Sequence, residues 1–356
     1  MIKNRDKRLD IIRGLSILLV VIYHFSQNYF NYASIENNIS NNISFTNKIM
    51  YFTVGRFGHY GVYLFFILSG YLIHSIYFRS NIKPLSFYKK RILRIYPLYL
   101  VTLTLFFLVF HKYENVNMKD YLFHFFFIHN FDQETYYSIN PSFWSLAIEV
   151  QFYLFFPIIN FFSHKKHFIF YLFIASLIFS GYILYNSELN NNNIMTTPKY
   201  LSIWLIGWII SEYKTKFDFY YSNYKYYLNT LFILLIAFAF SNISTKMNII
   251  WLNFMLSNLF LMMLFYKLLT MKFYYFPKKL KEHIGNILVF YGMISYSLYV
   301  IHQPIIATVK SFFNTSFENN TLNMIFESSC SIVTFTLLAY STHKLVENKL
   351  RNYLFQ

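Results

Sequence analysis

The chain has a single cysteine, Cys330, so it can close no internal disulfide and offers no cysteine set for a metal site. Charge is scarce, at 13% of 356 residues, and acid is the scarcer sign: 15 Asp and Glu stand against 31 Lys and Arg. No hydrophilic stretch is long enough to form a soluble domain, although the length alone would allow two or three. No repeat of fixed period occurs. Asn-rich tracts such as "NNISNN" and "LNNNN" read as solvated linkers.

What fills the chain instead is apolar: 56% hydrophobic and 23% aromatic residues. That composition belongs to a polytopic membrane protein, here an all-α helical bundle. Apolar runs of crossing or near-crossing length lie at 11–30, 59–78, 95–111, 143–162, 168–185, 199–213, 226–241, 249–266, 287–308 and 322–341. The short run "YLFHFFFIHNF" (121–131) reads as an interfacial or re-entrant segment.

The net charge of +16 would suit nucleic acid, but the basic residues sit in short loops between apolar runs. With a cytoplasmic N-terminus, 23 Lys and Arg fall inside, seven outside, and Arg13 within the first span. This positive-inside bias predicts ten spans with both termini cytoplasmic. "KNRDKR" before an apolar run resembles a signal peptide, but no A-x-A-like site follows, so the first span is expected to stay uncleaved.

Ionisable groups inside spans are costly and usually face a protein interior. Arg13 and His24 lie eleven residues apart, hence on one helix face and about 16 Å apart. Counted from the expected span ends, His24, Glu149 and His302 each lie about 9 Å below the outer surface. Two imidazoles and a carboxylate at one depth suit acid–base chemistry, although a lone intramembrane His often only bonds between helices. His59, His74, His111, His124 and His129, at span ends or in the interfacial run, read as structural. Glu327, near the outer end of the last span, can simply reach headgroups. "FFILSGYLI" (65–73) places Ser69 and Gly70 mid-span, where small residues let helices approach or leave room for a thin substrate arm. In "KKRILRIYP" (89–97), Arg91 and Arg94 lie one turn apart, facing anionic lipid or a phosphate-rich ligand.

These pieces together resemble the acyltransferase 3 family of integral membrane acyltransferases, over essentially the whole chain. "RLDIIRGLSILLVVIYH" is similar to its arginine–ten residues–histidine signature, carried by Arg13 and His24. "FFILSGYLI" resembles F-F-x-x-S-G, and "KKRILRIYPLY" resembles R-x-x-R-x-x-P at Arg91, Arg94 and Pro97. "FWSLAIEVQFYLFFP" is similar to W-S-L-x-x-E-x-x-F-Y-x-x-x-P, with Glu149 at the acidic position. "ISYSLYVIHQP" resembles S-Y-x-x-Y-x-x-H-x-P. The C-terminal "VENKLR" lacks the proline of the usual E-[KR]-P-x-R ending. A fused SGNH-type domain, present in some members, is not expected here.

The resemblance implies transfer of an acyl group, usually acetyl from cytosolic acetyl-CoA, to a sugar hydroxyl of a cell-envelope polysaccharide or lipid-linked glycan. No permanently bound cofactor or metal is expected; the partners are acyl-CoA, the glycan and membrane lipid, in a bacterial cytoplasmic membrane. His24 is expected as general base, with Glu149 orienting or charging it; direct transfer and a two-step route through acylated His24 both stay open. Arg13 goes to the CoA phosphates or to an ion pair with Asp10. Arg91 and Arg94 hold the nucleotide end, and Ser69 and Gly70 line the arm's path. Ser145, Ser295, Tyr299 and His302 support the site, and Trp144 stacks on a sugar or anchors at the interface. A proton-coupled transporter or flippase using the same His and Glu is the main rival, and a non-catalytic scaffold of an export complex is the third reading.

Overall fold

The structure, a computed structural model, describes residues 6–30, 56–78, 83–111, 116–165, 167–190, 197–221, 229, 232, 250–270, 278–314 and 321–349. Helices account for every regular element among them, and no strand occurs. In chain order they are α1 (Lys7–Phe30), α2 (Arg56–Ile73, continued by a π-helical turn over His74–Phe78) and α3 (Pro84–Phe110). Next come α4 (Met118–Phe125), α5 (Phe143–Ser163), α6 (Phe168–Asn190), α7 (Thr197–Glu212) and α8 (Lys214–Tyr221). The last are α9 (Ile250–Thr270), α10 (Lys278–Met293), α11 (Ser295–Asn314) and α12 (Thr321–Thr342). The expected span at 226–241 falls outside the described residues save for positions 229 and 232.

Gly58–Phe78, Pro84–Phe110 and Phe143–Ser163 are long and apolar enough to cross a membrane. On α3 and α5, Leu105, Leu108, Val109, Leu154, Phe155 and Ile158 point outward and exposed. Apolar rows of this kind are what a lipid-facing surface presents. The bundle's inner faces meet through glycines. A Cβ on Gly70 would lie 2.1 Å from the Trp204 carbonyl oxygen, and one on Gly207 would lie 1.9 Å from that of Ile67. Helices α2 and α7 therefore touch backbone to backbone at this crossing.

One expected span is corrected. The run 287–308 is not one helix: α10 and α11 are bent by 77° at Ile294. The Ser295 hydroxyl donates to the Gly292 carbonyl at 3.0 Å, and Gly292 itself packs against the Asp10 carbonyl. A Gly and Ser so close together are a known cause of helix kinks.

The short run after α3 builds its own helix. Asn117 caps α4 by accepting from the Lys119 and Asp120 amides, and Asp120 accepts back from the Asn117 amide at 2.9 Å. Tyr96 and Tyr99 of α3 donate to the carbonyls of Phe125 and His124, fixing this segment on the bundle.

Candidate active site

Two histidines from opposite ends of the chain meet. His24 Nδ1 of α1 lies 3.0 Å from His302 Nε2 of α11, and His302 is fully buried. The direction of this hydrogen bond follows from its neighbours. His302 Nδ1 sits 2.8 Å from the Tyr299 carbonyl oxygen, which can only accept, so Nδ1 carries the proton. With both rings neutral, His302 Nε2 then holds a lone pair and His24 Nδ1 donates to it. His24 Nε2 is left as a lone-pair nitrogen, the form a general base needs.

The loop before α5 packs against this pair. Ser142 donates to Gln303 Oε1 at 2.6 Å, with its oxygen 3.5 Å from His302 Nε2. Asn140 donates to the Val300 carbonyl at 2.8 Å and accepts from the Ser142 amide at 3.0 Å. Ile139, just before them, has a φ of 60°, a strained conformation for a β-branched residue. Neither Ser142, just before a span, nor Gln303, inside one, stood out in the sequence, since a lone serine or glutamine carries no signal of its own.

A second feature lies deeper. A cavity is lined by Arg13, Arg91, Arg94, Glu149, Ser69 and Ser145, among others. Ser295, Tyr296 and Tyr299 complete its polar wall. Arg13 pairs with the buried Asp10 at 2.9 Å, one of the two roles expected of it, and it also lines the cavity. Arg91 is only 8% exposed, and its guanidinium lies 5.0, 5.6 and 5.3 Å from the ring centres of Tyr77, Phe87 and Tyr153. Three aromatic faces hold a cation in place without neutralising it. Tyr153, one turn after Glu149, donates to the Glu149 carboxylate. The four-residue spacing made that contact readable, yet sequence reasoning passed it over.

The cavity and the histidine pair touch through one residue layer. Tyr299 lines the cavity with its ring, hydrogen-bonds Ser145 at 2.5 Å, and holds His302 with its carbonyl.

Three expectations change. Glu149 does not join His24 and His302. It lies seven residues past Ser142, about 10 Å farther along α5, and faces the arginines. Gly70 is not on the cavity wall; one position round the helix from Ser69, it faces the α7 backbone as a packing glycine. Trp144 is not open to a sugar but buried against Phe66 and Tyr200. The interfacial segment adds something unforeseen. His124 and His129 stack at 3.8 Å with a 4° interplanar angle, both fully buried. Burial pushes His124 down to about 4, and burial with the neighbouring His124 holds His129 well below the usual histidine value. Among the described residues no cluster of three His, Cys, Asp or Glu could hold a metal ion.

A bundle with a basic, arginine-lined cavity one residue layer from a paired histidine fits a membrane group-transfer protein, and comparison with known proteins agrees. A match to the family Acyl_transf_3, described as Acyltransferase domain, covers residues 6–344. The chain belongs to this family. It is 27% identical over 314 residues to the "Putative acetyltransferase ORF330" of Acidianus two-tailed virus, covering 85% of this chain and 84% of that protein. It is 28% identical over 337 residues to the O-acetyltransferase OatA of Staphylococcus aureus (strain NCTC 8325 / PS 47), covering 86% of this chain. The match spans about half, 51%, of the staphylococcal protein. No solved structure matches.

Proposed function

We propose that the chain is a membrane O-acyltransferase moving an acetyl group from cytosolic acetyl-CoA to a hydroxyl of a cell-surface polysaccharide or lipid-linked glycan. The observation that carries this reading is the His24–His302 pair, whose hydrogen bonds put the His24 proton on Nδ1 and a lone pair on Nε2. The membrane is the bacterial cytoplasmic one, crossed ten times, with both termini in the cytosol.

The donor's nucleotide phosphates lie against Arg91 and Arg94, with Arg13 near them; guanidinium pairs suit phosphate oxygens. The pantetheine arm runs past Ser69 and Ser145 toward Tyr299. Glu149 offers carboxylate oxygens to the arm's amide N–H groups. At the far end His24 Nε2 takes the acceptor hydroxyl proton as that oxygen attacks the thioester carbon. The C–S bond breaks, and CoA leaves as a thiolate that recovers a proton. Base catalysis of this kind is worth roughly 10² to 10⁴ in rate. No cofactor stays bound.

The test is reconstitution of the purified chain in liposomes with labelled acetyl-CoA and a surface glycan. The expected result is label in covalent linkage to the glycan only when the thioester is present. Movement of glycan without acetylation would replace this reading by transport.

A further inference from the structure

Gln303 follows His302 directly on α11, and Ser142 is a neighbour of both. The Ser142 oxygen stands 2.6 Å from Gln303 Oε1 and 3.5 Å from His302 Nε2. The lone pair of that nitrogen is already taken by His24 Nδ1–H at 3.0 Å. The Ser142 proton therefore goes to Oε1, which orients the amide: its oxygen faces Ser142 and its NH2 faces away. Ser142 is itself tied down. Its backbone amide donates to Asn140 Oδ1 at 3.0 Å, and Asn140 Nδ2 donates to the Val300 carbonyl at 2.8 Å.

The other end of the Gln303 amide is unused. The residue is half-buried, and among the described residues nothing accepts a hydrogen bond from its Nε2. Two N–H donors held in place and half out of water gain when an oxygen joins them. They are neutral and only donate, so the atom they suit is an uncharged oxygen such as a sugar hydroxyl; an anion would call for arginine or lysine.

We propose that Gln303 binds the acceptor and selects which of its hydroxyls is acylated. The acceptor is then a saccharide presenting a vicinal diol. One oxygen of the diol gives its proton to His24 Nε2, and the oxygen beside it accepts from the Gln303 NH2. The proposal rests on the acyltransferase reading and adds the recognition of the acceptor to it.

The test is the liposome assay with labelled acetyl-CoA and the surface glycan of cells carrying the chain, stripped of esters with mild alkali. Two quantities are read: the half-saturating glycan concentration, and, by NMR, which hydroxyl carries the acetyl group. Gln303→Met keeps the side chain's length but has no donor. It should raise the half-saturating concentration about tenfold and spread the acetyl group over more than one hydroxyl. Gln303→Glu keeps an oxygen for Ser142 but lacks the N–H groups, so it should fail in the same way. A role confined to holding Ser142 would leave that variant like the unaltered chain. The acetyl-CoA KM should stay within about twofold in both. If Gln303→Met fails to fold, Gln303→Glu decides alone. An unchanged half-saturating concentration in Gln303→Glu would overturn the proposal and leave the acyltransferase reading standing. Absence of transfer by the unaltered chain would end that reading, and this proposal with it.

Discussion

The two ends of the site hold their polar groups in opposite ways. At the cavity the ionisable groups have close partners: Arg13 an acid within its own helix, Arg91 three aromatic faces, Glu149 a tyrosine hydroxyl. At the histidine pair a carbonyl and a second imidazole fix which nitrogen bears the proton. On the proposed function, a donor rich in phosphate calls for the first arrangement and a base calls for the second. One helix, α1, serves both, with Arg13 and His24 about 16 Å apart along it.

Substitutions at the two ends should therefore separate. Among residues that support the base, the largest effect is expected at His302. His302→Ala frees His24 to adopt the wrong tautomer, and kcat should fall by roughly 10² or more with the acetyl-CoA KM little changed. A matching rise in that KM would merge the two ends. Next, Arg91→Ala removes charged hydrogen bonds worth about 1.5–3 kcal/mol, so the acetyl-CoA KM should rise about 10- to 100-fold. Arg91→Lys should recover it only in part, because an ammonium lacks the planar fork.

Smaller effects bear on the frame. Gly70→Ala sets a methyl against the Trp204 carbonyl and should lower stability by about 1–3 kcal/mol, read as a lower Tm with residual activity in what stays folded. The His124–His129 stack gives a pH dependence. His124 is held near 4 when folded against about 6.5 when unfolded, so between those values the unfolded chain binds more protons. Stability is full above about pH 6.5 and falls as pH drops, by on the order of 2 kcal/mol at pH 5. His124→Phe should flatten that slope in a melting series, and an unchanged slope would locate the titration elsewhere.

Much of this was legible in the sequence, for physical reasons. Apolar run length exposes helices, and the eleven-residue spacing put Arg13 and His24 on one face. The pairing of His24 with His302 followed from counting depth. The same count misplaced Glu149, because it took residue 143 as a surface-level helix start. In the structure Ser142 already touches His302, so α5 begins at the histidine level under the segment that precedes it. Hydropathy marks where a helix starts, not how far below the surface. The bend at Ile294 was hidden for a similar reason: Gly292 and Ser295 are common in apolar helices, and only their hydrogen bond and packing partner make a kink. Gly70 and Trp144 show the limit of single positions, since their roles depend on whether α7 or a ligand lies across from them.

The measurement closest to the central claim pairs acetyl-CoA binding with single-turnover acetyl transfer in His24→Ala. Binding within about threefold of the unaltered chain, with transfer lowered by roughly 10² to 10⁴, is the predicted result. Transfer at the unaltered rate, or donor binding lost together with transfer, would contradict the division of labour between the arginine cavity and the histidine pair.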